Sequence, residues 1–316
     1  MQTHKILVAD GLAEEGLSLL RQAGEVTLNP KITAEELLFV VPDYQALVVR
    51  SRTKVTAQVI QAGRQLKVIG RAGVGVDNID LQAALARGIV VVNSPLAATT
   101  AVAELTLGLM LALARRIPAA DASMKQQKWE KGAFMGSELS GKTLGLIGLG
   151  RIGHQVAQRA GAFGMYILVY DPFIPPIEIE NHRLTSASFQ EVLEKSDYLS
   201  LHLPLTASTR GMFGASQFSQ MKKGAFLICT ARGGIVDESA LRQALDEGML
   251  AGAALDVFEF EPPAPGSISE HPRVIATPHI GAQTHEAQKR AGIAIAEEVL
   301  AVLQNKEPRW KVTQNE

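Results

Sequence analysis

Cysteine is almost absent from this sequence. Cys229 is the single cysteine among 316 residues, so no disulfide can form within the chain. It lies in the apolar run AFLICT, which is typical of a buried strand. Because disulfide-stabilised proteins of oxidising compartments carry several cysteines, we expect a reduced, cytoplasmic protein.

Long hydrophobic runs and an excess of charge are missing as well. The longest apolar run, LTLGLMLALA, is too short to cross a bilayer, and the N-terminal MQTHKILVADGL lacks the apolar core of a signal peptide. The formal net charge of −1 argues against nucleic acid or an anionic membrane as the main partner. The seven histidines show no ligand-like spacing, so we expect no metal site.

Short apolar runs alternate with segments of helical length along the whole chain. Continuous apolar strands separated by helices favour parallel sheets covered on both faces, in two successive α/β units. The strand candidates of the first unit are KILVAD, VTLN, ALVVRS, LKVIG and IVVVNS. Those of the second unit are TLGLIG, MYILVYD, YLSLHLP, AFLICT, GAALDV and VIATP.

Two predicted helices leave alternatives open. The segment 99–116, TTAVAELTLGLMLALARR, is apolar around most of its circumference, which indicates either a helix buried in its own unit or one shared with a second subunit. The last predicted helix, 284–304, either caps the second unit or returns to the first. The second option would make the first domain discontinuous.

A glycine-rich segment in the middle of the chain carries the strongest motif. Gly148, Gly150 and Gly153 form GxGxxG between a predicted strand and a predicted helix, and the next strand ends at Asp171. This context is that of a dinucleotide fingerprint, in which the glycines allow a tight turn, close approach of a pyrophosphate and packing of the helix on the strand. A carboxylate at Asp171 would accept hydrogen bonds from the adenosine ribose and repel a 2′-phosphate, which favours NAD over NADP.

Three polar residues follow strands in the second unit. They are Arg232 in CTARGG, Glu261 in FEFEPP and His279 in TPHIGA. In parallel sheets, ligands bind beyond the carboxyl ends of the strands, so we expect all three near the cofactor. Arg232 is suited to hold a keto-acid carboxylate, and His279 to donate a proton to the substrate oxygen. Glu261 beside the imidazole would favour its protonated form.

These segments resemble the D-2-hydroxyacid dehydrogenase family, whose catalytic set is an Arg, a Glu and a His in this order. The matching motifs are GLGRIG, ARGGIVDE, GAALDVFEFEPP and TPHIGAQTHEAQ. Within the family, VVRSRTKVTAQVI, GRAGVGVDNIDLQAA and KWEKGAFMGSELSGKTLGLIGLGRIG are most similar to the D-3-phosphoglycerate dehydrogenases. The resemblance covers residues 5–304.

The resemblance implies two doubly wound parallel-sheet domains. A Rossmann-type NAD-binding domain, 95–282, would be inserted into a flavodoxin-like substrate-binding domain made of 1–94 and 283–316. The regulatory domain that is common at the C-terminus of these enzymes would have no room in a chain that ends at Glu316. A homodimer through the NAD-binding domain is also expected.

The resemblance further implies a set of binding residues. Arg232, Glu261 and His279 would be catalytic. The expected cofactor-binding residues are Gly148, Gly150, Arg151, Ile152, Gly153, Asp171, His202, Pro204, Thr230, Ala231, Asp256 and Gly281. The expected substrate-binding residues are Arg50, Ser51, Arg52, Arg71, Val74 and Gly75. The three arginines would read a phosphate, and the amides of Val74 and Gly75 a carboxylate.

The implied activity is NAD-dependent hydride transfer between D-3-phosphoglycerate and 3-phosphohydroxypyruvate, the first step of serine biosynthesis. One position departs from the pattern, because Ala98 stands where the phosphoglycerate enzymes usually carry an Asn. Hydroxypyruvate or glyoxylate reduction is therefore the first alternative function. An NAD-sensing corepressor of the C-terminal-binding-protein type is the more distant alternative function. For Arg50 or Arg52, the alternative role is an ion pair between the domains. Formate dehydrogenases are disfavoured, because they replace the glutamate with glutamine.

Overall fold

The computed structural model describes residues 4–313. The chain divides into two compact units. The first contains the described residues up to Thr99 together with those from Ala282 onward, and the second runs from Thr100 to Gly281. The predicted domain boundaries lay at residues 94 and 283.

Twelve strands and twelve α-helices are found in the described part of the chain. The strands are β1 (His4–Val8), β2 (Gly24–Leu28), β3 (Ala46–Val49), β4 (Val68–Arg71), β5 (Val90–Asn93), β6 (Thr143–Ile147), β7 (Tyr166–Tyr170), β8 (Thr185–Ser186), β9 (Tyr198–Leu201), β10 (Ala225–Cys229), β11 (Leu250–Leu255) and β12 (Val274–Ala276). The helices are α1 (Glu14–Ala23), α2 (Ala34–Val40), α3 (Ala57–Ala62), α4 (Leu81–Ala86), α5 (Thr99–Arg115), α6 (Ile117–Lys125), α7 (Arg151–Ala162), α8 (Pro176–Asn181), α9 (Phe189–Lys195), α10 (Ala215–Gln220), α11 (Glu238–Asp246) and α12 (His285–Leu303).

The strands of the first unit form one parallel sheet in the order β2-β1-β3-β4-β5. This is the flavodoxin-like order, whose topological switch point lies between β1 and β3. All four residues of β3 are buried, as expected for a central strand that is covered on both faces. Helix α12 packs against α1 and β4, so the last helix belongs to this unit.

The strands of the second unit form a parallel sheet in the order β12-β11-β10-β9-β6-β7-β8. Starting from β6, this is the Rossmann order 3-2-1-4-5-6 with one further strand, and its switch point lies between β6 and β9. The two sheet orders confirm the predicted fold class. The two-residue β8 was not predicted, because so short an edge strand has no apolar pattern.

The predicted helix 99–116 corresponds to α5, and a second helix that was not predicted, α6, follows it. Arg116 has a φ of 52° and separates α5 from α6, and Pro118 occupies the first turn of α6. Helix α5 buries most of its apolar side chains, which include Leu107, Met110 and Leu113 of the second unit's core. The structure thus favours the first interpretation of this segment, a helix buried within its own chain.

Candidate active site

The predicted cofactor and catalytic residues of the second unit share one edge of its sheet. Each group lies in the loop that follows a strand, and parallel strands bring their carboxyl ends to the same edge. In sheet order, the predicted residues are His279 and Gly281 after β12, Asp256 and Glu261 after β11, Thr230–Arg232 after β10, His202 and Pro204 after β9, Gly148 and Gly150–Gly153 after β6, and Asp171 after β7. The glycine loop and His202 therefore flank the switch point.

The glycine loop has the geometry of a phosphate cradle. Gly148 has a φ of 93°, and a Cβ there would lie 2.5 Å from the carbonyl oxygen of His202. A Cβ on Gly153 would lie 2.5 Å from the carbonyl oxygen of Gly148, so only glycine lets α7 begin this close to the turn. A Cβ on Gly150 would meet no atom within 4 Å, which leaves room beside the first turn of α7. Arg151 and Ile152 are the first residues of that helix.

Asp171 supports the glycine loop through its side chain. One carboxylate oxygen accepts the amide of Leu149 at 2.9 Å, and the other accepts the amide of Phe173 at 2.9 Å. Each oxygen has a second lone pair for a further donor, such as a ribose hydroxyl. The same carboxylate would repel a 2′-phosphate in that place.

Asp171→Ala is expected to narrow the preference for NADH over NADPH by about tenfold or more, because it removes that repulsion. The measurement is the ratio of kcat/KM for the two cofactors. Asp171→Asn is the matched variant, because it keeps an acceptor for the Leu149 amide and loses only the charge. A ratio that is unchanged in both variants would exclude the ribose role.

Further predicted cofactor residues follow β9 and β10 at the same sheet edge. His202 Nε2 lies 3.0 Å from Ser200 Oγ, and burial lowers the pKa of this imidazole to about 4, so the ring is neutral at pH 7. The carbonyl of Pro204 accepts the Thr209 hydroxyl at 2.7 Å. The Thr230 hydroxyl lies 2.9 Å from that of Thr106, and both threonines are buried.

Arg232 lies in the turn after β10. Its Nη1 donates to the carbonyl of Ala231 at 2.8 Å, which bends the side chain back over the end of the strand. The nearby Cys229 is buried, and burial raises the pKa of its thiol to about 11. The thiol therefore stays protonated at neutral pH and is no nucleophile.

Glu261 and His279 form a direct pair. The distance between Glu261 Oε2 and His279 Nδ1 is 2.7 Å, and Glu261 Oε1 accepts the amide of Phe258 at 3.1 Å. Burial alone would raise the pKa of Glu261, but the hydrogen bond and charge of His279 outweigh it and lower the pKa. Because Nδ1 faces the carboxylate, Nε2 is the ring nitrogen left for proton transfer.

The loop that carries His279 is held by a buried carboxylate. Asp256, 1% exposed, accepts hydrogen bonds from Thr277 Oγ1 at 2.5 Å and from the amides of Ile280 and Gly281 at 2.8 Å each. These three donors flank His279, whose φ of 51° lies in the left-handed region. Asp256 therefore fixes a backbone conformation that costs a non-glycine residue roughly 1–2 kcal/mol.

The predicted substrate residues lie in the first unit, in loops that follow β3 and β4. Arg50, Ser51 and Arg52 directly follow β3. Arg52 is ion-paired with Asp10 at 3.0 Å, so its partner lies in its own unit rather than across the domains. Arg50 is half-buried, and its Nη2 lies 3.5 Å from Gln283 Oε1.

The loop after β4 is held through its carbonyl groups. The carbonyl of Gly73 accepts the amide of Ser94 at 2.9 Å, and the carbonyl of Val74 accepts Asn93 Nδ2 at 2.8 Å. Arg71 extends beside Gly73 and donates to the carbonyl of Ala72 at 3.2 Å. Within the described residues, the amides of Val74 and Gly75 donate no hydrogen bond, which fits their predicted role toward a carboxylate.

The sequence-based prediction missed several supporting residues. Asp10 and Asn78 hold the loop after β3, and Thr106 and Thr277 support residues of the second unit. Asp10 ends the predicted strand KILVAD, so the rule that singled out Arg232 would have found it too. Thr277 directly follows β12 and carries the same signal. Asn78 and Thr106 have no comparable signal, because each acts through a partner at least twenty residues away.

Comparison with known proteins settles the family. The family model described as "D-isomer specific 2-hydroxyacid dehydrogenase, NAD binding domain" matches residues 107–281, which is more than half of the chain. The chain belongs to the D-isomer specific 2-hydroxyacid dehydrogenase family. Its second unit contains the NAD binding domain of that family, which confirms the predicted family and cofactor.

Relatives within this family are similar over nearly the whole chain. The chain is 52% identical to the D-3-phosphoglycerate dehydrogenase of Methanocaldococcus jannaschii over 95% of its length, and 46% identical to that of Bacillus subtilis over 94%. It spans 57% and 56% of those two proteins, so it corresponds to little more than half of each.

Solved structures of similar length match this chain over nearly all of its residues. The TT0316 protein of Thermus thermophilus is 37% identical with a TM-score of 0.90, and the match covers 98% of this chain and 100% of that one. A glyoxylate reductase from Paecilomyes thermophila is 31% identical with a TM-score of 0.90, and the match covers both chains completely.

Residues 4–313 contain neither a membrane-spanning helix nor a metal-binding cluster. No helix there is long and apolar enough to cross a membrane. No group of three or more His, Cys, Asp or Glu side chains there is arranged to hold a metal ion.

Proposed function

We propose that this chain catalyses NAD-dependent hydride transfer between D-3-phosphoglycerate and 3-phosphohydroxypyruvate, in the cytoplasm. The observation that carries the proposal is the Glu261–His279 pair at 2.7 Å, which follows two strands at the same sheet edge as the glycine loop. Relatives named D-3-phosphoglycerate dehydrogenase support the choice of substrate.

The residues at this edge fit NAD. Gly150 leaves space at the first turn of α7 for the pyrophosphate, whose charge the amides of that turn complement. Asp171 offers acceptors for the ribose hydroxyls. Bound NADH would supply the hydride, and the protein supplies the proton and the orientation.

Each catalytic side chain has a separate task in ketoacid reduction. Arg232 binds the substrate carboxylate and polarises the neighbouring carbonyl. His279 donates the proton on Nε2 to the carbonyl oxygen and takes it back in the reverse direction. Glu261 accepts from Nδ1, which fixes the ring orientation and leaves Nε2 for the substrate.

The deciding experiment compares NADH oxidation with 3-phosphohydroxypyruvate, hydroxypyruvate and glyoxylate. We expect kcat/KM for the phosphorylated substrate to exceed the others by more than about tenfold, or ~1.4 kcal/mol, because the arginines stabilise a dianion. Equal or reversed values would contradict the phosphorylated substrate and support the alternative below.

Reduction of glyoxylate or hydroxypyruvate is the second candidate. A solved glyoxylate reductase matches the full chain, and Ala98 stands where a substrate-binding Asn is expected. Ala98 is buried at 5% exposure and offers no side-chain donor. The same three-substrate comparison separates the two candidates, because this one needs no phosphate-binding arginine.

A homodimer through the second unit is part of the proposal. The apolar surface left exposed around α6 includes Ile117, Met124, Trp129 and Met135, which are 51%, 53%, 80% and 85% exposed. Arg115, Ala120 and Asp121 line a groove together with Ile117 and Met124. An apolar surface of this kind is typical of a subunit interface.

Met124→Glu is expected to convert the dimer to a monomer, since a buried, unpaired carboxylate is costly at an apolar interface. Light scattering coupled to size exclusion measures the mass directly. Phe39→Glu is the matched control, because Phe39 is 86% exposed in the first unit and the dimer should persist. A monomeric wild-type protein would contradict the proposal.

A further inference from the structure

A buried carboxylate outside the predicted site organises the loop that carries two of the proposed substrate arginines. Asp10 follows β1, and the loop Arg50–Thr53, here called the arginine loop, follows β3. The two strands are neighbours on either side of the sheet's switch point, where ligands of such folds bind. Asp10 is 4% exposed.

Asp10 holds the arginine loop through several donors. Its Oδ2 accepts the amide of Arg50 at 2.6 Å and that of Thr53 at 3.3 Å. Its Oδ1 accepts the Thr53 hydroxyl at 2.8 Å. On the other side of the loop, Asn78 Nδ2 donates to the carbonyls of Arg50 at 2.8 Å and Thr53 at 2.6 Å. The loop backbone is therefore fixed at both of its ends.

The two arginines of this loop differ in their contacts. The Arg52 guanidinium lies 3.0 Å from Asp10 Oδ1 and donates to the carbonyls of Ala9 at 2.7 Å and Ile32 at 3.0 Å. Two of its N–H groups are thus bonded to backbone carbonyls, and its charge is paired with Asp10. The Arg50 guanidinium contacts only Gln283 Oε1, at 3.5 Å, among the hydrogen bonds of the described residues.

Arg50 is also the arginine that gains more from an anion. Burial lowers the pKa of its guanidinium, and the charge of Asp10 only partly opposes this. A half-buried cation has already lost part of its hydration, so the desolvation cost of binding a dianion is smaller.

We infer that Asp10 is a positioning residue for substrate recognition, which holds the arginine loop so that Arg50 reads the substrate phosphate while Arg52 serves as the counter-ion of Asp10. This inference rests on the proposed function. It assigns a role to Asp10 and separates the roles of the two arginines, which the sequence had grouped together.

The test combines hydrogen exchange with substrate selectivity. In Asp10→Ala, the amides of Arg50 and Thr53 lose their acceptor, so their exchange is expected to accelerate. The ratio of kcat/KM for 3-phosphohydroxypyruvate over hydroxypyruvate is expected to fall about fivefold or more, through KM rather than kcat. Asp10→Asn keeps an acceptor for the amides and should restore part of the ratio. General destabilisation would lower activity toward both substrates equally.

Further variants control for the lost charge of Asp10→Ala and for the case that it does not fold. Asp43→Asn removes an exposed carboxylate of the same unit and should leave the ratio unchanged. If Asp10→Ala does not fold, Thr53→Val and Thr53→Ser provide the test, because only the first loses the hydroxyl that Asp10 accepts.

The outcomes separate this inference from the proposed function. A wild-type preference for the phosphorylated substrate that survives unchanged in Asp10→Ala, or an unchanged exchange of the arginine loop, overturns the inference alone. A wild-type enzyme without phosphate preference overturns the proposed function, and the assigned role of Arg50 with it. Faster exchange together with a lower selectivity ratio supports both.

Discussion

His279→Gln is expected to lower kcat for ketoacid reduction by about 10²–10⁴-fold, because glutamine fills the space near Nε2 but cannot deliver a proton as an acid. The structure places this nitrogen opposite the bond to Glu261, where it is available to substrate. The KM for NADH should change little, since the glycine loop and Asp171 are untouched. Steady-state kinetics with both substrates varied gives the two constants.

The pH profile distinguishes loss of the acid from local damage. A reduction that depends on a general acid shows a basic limb in its pH profile, and this limb should vanish in His279→Gln. His4→Gln is the control, because His4 begins β1 at the amino end of its strand, opposite to the edge where ligands bind. A variant that retains the wild-type rate and the basic limb would exclude His279 as the acid.

Much of the fold was predictable because its strands are buried on both faces. Runs such as ALVV and YLSL are fully buried, so their composition alone indicates parallel strands. The helix predicted at 99–116 ends within one residue of α5, whereas α6, which has Pro118 in its first turn, was not predicted. The edge strand β8 could not be predicted from two half-exposed residues.

The candidate site was predictable where a residue stands in a sequence motif in the loop that follows a strand. Gly148, Glu261 and His279 stand in motifs with recognisable chemistry. The donors to Asp10 lie 40 or more residues away along the chain, and the donors to Asp256 lie 21–25 residues away. Only the fold brings each carboxylate and its donors together. The sequence also gave no reason to separate Arg50 from Arg52, because their difference lies in what each contacts.

Asp256→Asn is expected to lower kcat by about 10–10²-fold, since it releases the loop that carries His279. Three donors converge on the carboxylate, and an amide group in its place turns an N–H toward at least one of them. One buried mismatch of this kind costs about 1–3 kcal/mol, which matches or exceeds the cost of the left-handed conformation at His279. The loop would then relax and separate His279 from Glu261, and a displacement of about 1 Å is enough to cost 10²-fold in rate.

The kinetic constants decide how Asp256 acts. If it positions His279, kcat falls and the basic limb of the pH profile changes. Urea unfolding should then show only the loss of stability expected for one buried mismatch, about 1–3 kcal/mol. Thr277→Val removes one of the three donors and should reproduce part of the loss in kcat, whereas Thr277→Ser keeps the hydroxyl and should not. A raised KM for NADH with an unchanged kcat would contradict the positioning role, because Asp256 would then act on the cofactor alone, as the family resemblance implied.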